Sequence, residues 1–289
     1  MSAAIERIVR IATRRQWLSI GVRHRLLELA CPPRPVAFET SAFGCRFSGR
    51  LDSYIDREVF FLGSYEPEVL DLLSRIARHR DRPVLLDVGA NVGQHSLYAA
   101  RYYAEIHAFE PYPPLADVLR EQIGRNGLAH VHVHAVGLAD RDEDAMFAAP
   151  ADRRAGYGGF DNQDPNLHRQ ILPGRRGDTY LRAIGVTRVD VIKIDVEGSE
   201  RRVVEGLGGV LAENRPALVV EYWAKKWPGR IESCLPDRYR VWALEERGTV
   251  AGIFNRSVRA LKSVANVEDG TTLVALPYDW PIPRGYRVA

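Results

Sequence analysis

The pattern of apolar and polar positions changes character twice along the chain. Near the amino end Ile5, Ile8, Val9 and Ala12 recur at helical spacing opposite Arg7, Arg10 and Arg14, which predicts an amphipathic helix over residues 5–14. The run Cys31-Pro32-Pro33-Arg34-Pro35 removes backbone donors and drives the preceding residues out of the helical region, so a linker is expected there. From Val36 to Leu62 short apolar runs alternate with Gly44, Gly49 and Asp52, the signature of a small β-rich or irregular segment. Residues 66–80 then read as a helix. Val69, Leu72, Leu73 and Ile76 share one side, and Glu66 and Glu68 sit in the first turn, where the helix dipole favours them.

Past residue 83 apolar runs alternate with helical stretches. Strands are expected at 84–88, 106–109 and 130–136, with helices from about Gln94 and over 114–125, and later strands at 189–194, 217–220, 240–244 and 271–276. Strands separated by helices imply right-handed crossovers and a parallel sheet. The expectation is an α/β, doubly wound, mostly parallel seven-stranded sheet in residues 63–289, preceded by an N-terminal extension, 1–62. Asp140 to Asp178, rich in Gly, Asp, Asn and Arg, reads as a long insertion facing substrate.

Composition narrows the class. With 46% hydrophobic and 27% charged residues in 289, disorder is excluded as the dominant state. No window approaches the roughly 18 apolar residues that a membrane helix needs, because Asp87 and Asp195 interrupt the best candidates. The amino end lacks the continuous apolar core of a secretion signal. Cys31, Cys45 and Cys234, odd in number and widely spaced, make neither a disulfide framework nor a CxxC metal site, so a reducing, cytoplasmic setting is expected. Arg outnumbers Lys 36 to 4, which points to a GC-rich, bacterial genome.

The net charge of +3 is local. Residues 1–30 carry six Arg against Glu6 and Glu28, a balance of +4, which leaves the remainder at −1. Nucleic-acid binding needs a basic stripe across the fold, so nucleic acid is not the expected partner. The basic end is expected to be a cap on the core or a docking element for an anionic or membrane-associated acceptor.

The chemistry concentrates in three places. In Asp87-Val88-Gly89-Ala90-Asn91-Val92-Gly93, glycines after the first strand allow a tight turn and close approach to a ligand at a helix N-terminus. A dinucleotide loop wants GxGxxG, whereas here three residues separate Gly89 from Gly93, and Asp87 is suited to a cationic amino group. S-adenosylmethionine is therefore preferred over a nicotinamide dinucleotide. Second, Phe109-Glu110-Pro111 places a carboxylate at the end of the next strand, where it can accept bonds from ribose hydroxyls, and the turn at Val136 is expected beside the adenine. Third, the strand through Val191-Ile192-Lys193-Ile194 delivers Asp195 and Glu197 to the carboxyl end of the sheet. Lys193 inside that strand needs a buried partner, Asp195 or Glu221, or must snorkel to the rim.

These segments, in this order, resemble the FkbM family of S-adenosylmethionine-dependent methyltransferases over roughly residues 62–222: Tyr65-Glu66-Pro67, DVGANVGQHSLYAA from Asp87, FEPYP from Phe109 with Asn126 downstream, and VIKIDVEGSE from Val191. The resemblance implies a class I, Rossmann-like methyltransferase fold and O-methylation of a sugar, glycan or natural-product hydroxyl. It implies that Asp87, Gly89, Asn91 and Gly93 line the methionine part of the cofactor and that Glu110 holds the ribose, with Glu66, Ala90, Ser96, Pro111 and Asp195 expected as further cofactor contacts.

A hydroxyl acceptor needs a base or a cation that lowers its pKa. The base candidates are Asp195, with Glu197 as orienting partner, and His95 beside the cofactor loop. A divalent cation held by Asp195 with Asp178 or Glu221 is an alternative that no ligand spacing supports. His130, His132 and His134 alternate in one strand and are expected as a polar face at a sheet edge rather than a metal site. The aromatic and amide residues of Gly156 to Asn162 fit a sugar-binding loop or an ordinary mobile one. Two other functions stay open: a nicotinamide-dependent oxidoreductase, and a non-catalytic scaffold of the same fold.

Overall fold

The structure, a computed structural model, describes residues 3–14, 18–150, 158–160, 164–223, 225, 227, 230–245, 249–250, 254–255, 259–264 and 267–289. Arg15 and, in the aromatic loop, Gly156, Tyr157, Asp161 and Asn162 lie outside them. No helix among the described residues is long and apolar enough to cross a membrane.

Helices α1 (Ala3–Thr13) and α2 (Ile20–Ala30) pack on each other. The expected apolar face of α1 is only partly the buried one: Val9 is buried, whereas Ile8 is 65% exposed. The arginines explain the difference. Arg10 lies 4.6 Å above the Phe60 ring and bonds Thr40, and Arg14 donates to the Phe60 carbonyl, so their stems occupy the packed side.

After the proline segment come the antiparallel strands β1 (Ala37–Ala42) and β2 (Cys45–Arg50) and helix α3 (Tyr54–Leu62), where a β-rich or irregular segment was expected. Ser53 caps α3 at its start and left-handed Gly63 at its end. The helix is invisible to periodicity because it is buried nearly all round, and its charges are matched from outside the helix. Asp56 accepts from the Arg50 amide, Arg57 pairs with Glu28, and Glu58 pairs with His24. Phe47, Ile55 and Val59 belong to the same apolar core as Leu72, Leu85 and Ile106.

The central sheet is built from β3 (Val84–Val88), β4 (Glu105–Phe109), β5 (Val131–His134), β9 (Val191–Ile194), β10 (Ala217–Tyr222), β11 (Tyr239–Leu244), β14 (Ala260–Lys262), β15 (Thr271–Pro277) and β16 (Arg287–Val288). Helices α4 (Pro67–Ala77), α5 (Gln94–Ala99), α6 (Pro113–Arg125), α7 (Gly177–Ala183), α8 (Glu200–Gly206) and α9 (Gly208–Asn214) accompany it, with a 3-10 turn at Ile231–Cys234. Among the described residues the order is β16-β14-β11-β15-β10-β9-β3-β4-β5, nine strands where seven were expected, the short β14 and β16 carrying too little pattern to be read. Pairing is parallel from β5 through β10 and antiparallel where β15 and β11 join. Successive residues alternate between two cores: Leu85 and Val191 face one, with Leu72 and Leu119, while Leu86 and Ile192 face the other, with Val203 and Leu207.

From β3 the chain runs outward to β4 and β5, then returns to the other side of β3 as β9, so the switch point lies between β3 and β9. The return passes through the expected insertion, which is a second sheet rather than a loop: β6 (Gly137–Ala139), β7 (Glu143–Ala149) and β8 (His168–Arg176), in the order β6-β8-β7. A separate small pair is β12 (Thr249–Val250) with β13 (Phe254–Asn255).

Candidate active site

A cleft of about 1050 Å³, its open mouth included, sits over the switch point. The turn after β3 forms its floor. Gly89 and Gly93 adopt positive φ, and each is pinned by a close approach: a Cβ on Gly89 would stand 1.7 Å from the Asp195 carbonyl oxygen, and one on Gly93 2.3 Å from Leu119 Cδ1. The amides of Gly89 and Ala90 donate to the Phe109 carbonyl, which ties this turn to the end of β4.

Glu110 is buried, and its carboxylate is fixed by two backbone donors, the Asn91 amide at 3.0 Å and the Tyr112 amide at 2.9 Å. Burial pushes its carboxyl up to about 7, against the two amide bonds and Lys193, which favour the ionised form. Asn91, Glu197 and Glu66 all hold left-handed backbone conformations unusual for residues with a Cβ. Strain of this kind around one cleft marks a functional site.

Lys193 is the buried cation of the site. Its Nζ donates to the Gly89 carbonyl at 3.0 Å and lies 3.4 Å from Asp87 Oδ1 and 3.5 Å from Asp195 Oδ2. Burial opposes the charged ammonium, but the Asp195 and Asp87 carboxylates outweigh it and raise its pKa. Asp87 also accepts from the Ser96 hydroxyl at 2.7 Å. Asp195 is pulled below the usual carboxylate range by Lys193 and by a hydrogen bond from Glu221, although burial works the other way.

Of the residues singled out in the sequence, Gly89, Ala90, Asn91, His95, Glu110, Pro111, Asp195 and Glu197 line the cleft together. Asp87, Gly93 and Ser96 stand behind its wall, where they shape the turn and hold Lys193. Glu66 borders a smaller cavity behind Lys193, Asp195 and Glu221, and its carboxylate lies 3.2 Å from buried His95. Val136 packs against the second core and not on the cleft, where its neighbours Gly137 and Leu138 stand.

Asp178, a possible cation ligand in the sequence, is engaged elsewhere: it accepts from the Gly209 and Val210 amides at the start of α9. No three acidic, His or Cys side chains among the described residues converge to hold a metal ion. The histidines in and just before β5 form no such group: His132 and His134 each stack on His107, and His130 meets the Ala100 carbonyl.

Ile55, Phe147 and Ala149 had no motif to announce them, whereas Tyr65, Tyr112 and Phe160 lie in segments that the sequence singled out. Phe147 and Ala149 come from β7, and Phe160 crosses edge-on to Phe147 at 5.2 Å, so the inserted sheet closes one wall. Tyr112 stacks on Phe147, and Tyr65 and Ile55 line the opposite side. The unusual Lys193 was the one legible hint of the buried charge network.

The chain matches the family described as "Methyltransferase FkbM domain" over residues 87–245, more than half its length. Among curated proteins it is 28% identical over 226 residues to methyltransferase sdnD of Sordaria araneosa, covering 65% of this chain and 85% of that one. It is 27% identical over 204 residues to the hexuronic acid methyltransferase AglP of Haloferax volcanii, covering 71% and 78%. A solved structure of a methyltransferase FkbM from Methylobacillus flagellatus KT superposes with a TM-score of 0.43 at 15% identity, covering 92% of this chain and 58% of that one. The turn at Gly89, the Glu110 carboxylate and the Lys193 pairing thus lie in or beside the matched region, and the chain belongs to the FkbM methyltransferase family.

Proposed function

We propose that this methyltransferase uses S-adenosylmethionine to methylate a hydroxyl of a sugar, glycan or glycosylated natural product. The observation that carries the reading is the cleft itself, lined by the carboxylates of Asp195, Glu197 and Glu221, by a doubly anchored Glu110, and by apolar surface from Phe109, Leu138 and Phe160. This donor set fits the cofactor's parts. Acidic groups suit a sulfonium and an ammonium, the remaining lone pairs of Glu110 suit a ribose diol, and the apolar wall suits an adenine.

When bound, the cofactor supplies an electrophilic methyl group on a positively charged sulfur. The protein's part is to orient and to take a proton. Gly89 and Gly93 hold the turn that shapes the floor, Glu110 orients the ribose end, and the inserted sheet with Tyr65 limits water at the reacting end. Asp195, ionised beside Lys193, accepts the acceptor's hydroxyl proton, with Glu197 and His95 at the same end of the cleft. One of the named relatives is a hexuronic acid methyltransferase, which supports a sugar hydroxyl as acceptor. The basic α1 and α2 are read as a cap that takes no part in cofactor binding.

Isothermal titration with S-adenosylmethionine and S-adenosylhomocysteine tests the cofactor, and absence of binding to folded protein rejects it. With a hexuronic acid glycoside as acceptor, Asp195→Asn should retain binding and lose turnover; normal turnover would reject Asp195 as base.

A further inference from the structure

Asp195 and Glu221 form a pair that the proposed mechanism uses only in part. Parallel pairing of Ile194 with Val220 brings the next residues on the two strands, Asp195 and Glu221, side by side, and both line the cleft. Both also border the small cavity behind Lys193, and two carboxyl groups set side by side resist ionising together. Trp223 Nε1 donates to Glu221 Oε2 at 3.1 Å, fixing the outer carboxyl. The surroundings oppose a second negative charge. Lys193 is the cation against the pair and is shared with Asp87, while Glu66 from the start of α4, Glu197 from the loop after β9 and Glu200 from α8 add acidic groups. His95 of α5 and the Tyr65 hydroxyl complete the set. Burial, Asp195 and Glu197 push the Glu221 carboxyl up to about 10, in the same direction as the geometry.

We infer that Asp195 and Glu221 share one proton while the cleft holds no cation, and release it when a sulfonium ligand binds, so that the base is armed only in the loaded enzyme. This rests on the S-adenosylmethionine reading above. The charge count closes over a turnover. Methyl transfer breaks the sulfur–carbon bond, leaves that electron pair on sulfur, forms the oxygen–carbon bond and frees one proton from the acceptor hydroxyl. The pair, ionised since cofactor binding, takes that proton as the neighbouring positive charge disappears, and the enzyme returns to its starting state. The single proton that the reaction yields has then already left for solvent at the binding step. An unloaded enzyme keeps a protonated pair and does not deprotonate bound acceptor.

The two cofactor forms differ only in the transferable methyl group and the positive charge it places on sulfur, so proton release that differs between them reports on the pair. Titrations near neutral pH in phosphate and in Tris, buffers with different ionisation enthalpies, count the protons released. The expected result is about one proton more for S-adenosylmethionine than for S-adenosylhomocysteine, and an affinity ratio that grows up to about tenfold per pH unit from neutrality towards pH 9. Glu221→Gln, of equal size, should bind both ligands and erase the difference, and Asp195→Asn should do the same if the first variant fails to fold. Equal proton release by the two ligands in the wild type overturns the inference, as does an unchanged difference in a folded variant. Failure of both ligands to bind rejects the cofactor reading itself, a result distinguishable from binding without differential release.

Discussion

The carbonyl oxygen of Asp195 lies 1.7 Å from where a Cβ on Gly89 would stand, so the turn after β3 and the loop after β9 meet backbone against backbone. Gly89 also holds a φ of 77°. Gly89→Ala therefore combines a clash that no side-chain rotation relieves with a strained backbone. The expected loss is about 3 kcal/mol or more in urea unfolding, together with loss of S-adenosylhomocysteine binding. A variant within about 1 kcal/mol of wild type would refute the contact.

Lys193→Met keeps an unbranched side chain of nearly the same length and removes its charge. Asp87 is fully buried and would be left without its cation, as would Asp195. Breaking such a network is expected to destabilise the protein by about 3–5 kcal/mol. Adding Asp87→Asn should restore part of that loss, because it removes one stranded charge, and additive losses in the double-mutant cycle would contradict the coupling.

Glu110→Gln leaves one carbonyl oxygen to serve two amides, those of Asn91 and Tyr112, and replaces the other acceptor with a donor. If Glu110 holds the ribose, the Kd for S-adenosylhomocysteine should rise at least about tenfold. Titration calorimetry reads the change, and an unaltered Kd would remove Glu110 from the ribose site.

The His107–His134 stack makes stability sensitive to acid. Burial, with His107 and His132 nearby, pulls His134 down to about 4 from the ordinary 6.5. Between these values the unfolded chain takes a proton that the folded one refuses, so this contribution is intact above about pH 6.5 and falls away towards pH 4. Glu110, raised to about 7, acts in the opposite sense, because the folded state is the one that takes the proton as pH falls. His134→Gln isolates the first effect. From about pH 7.5 to 5.5 the wild type should lose roughly 1 kcal/mol more than the variant, measured by urea unfolding at both values. Parallel losses would show that His134 does not carry the effect.

How legible the site was depends on which physical constraint each residue answers to. Asp87, Gly89, Glu110 and Asp195 stand at strand ends or in the tight turn after one, and strand periodicity with glycine spacing marks such positions locally. The same local rules placed β3, β4, α4 and α6 within a residue or a few of their observed bounds. Helix α3 escaped because burial on nearly all sides erases the amphipathic stripe, and its charged residues find partners outside the helix in His24, Glu28 and the Arg50 amide.

What the sequence by itself determined is the α/β alternation, the cofactor-type turn and the set of carboxylates available to the cleft, since each follows from spacing within a few residues. Only the tertiary structure decided how those carboxylates are charged. Lys193 reaches Gly89, Asp87 and Asp195 because β3 and β9 are neighbours in the sheet, and Glu221 meets Asp195 because β9 and β10 pair in one register. The inserted sheet contributes Phe147 by the same kind of long-range packing. A carboxyl group's proton depends on its burial and on the charges around it, and residues more than a hundred positions apart supply both.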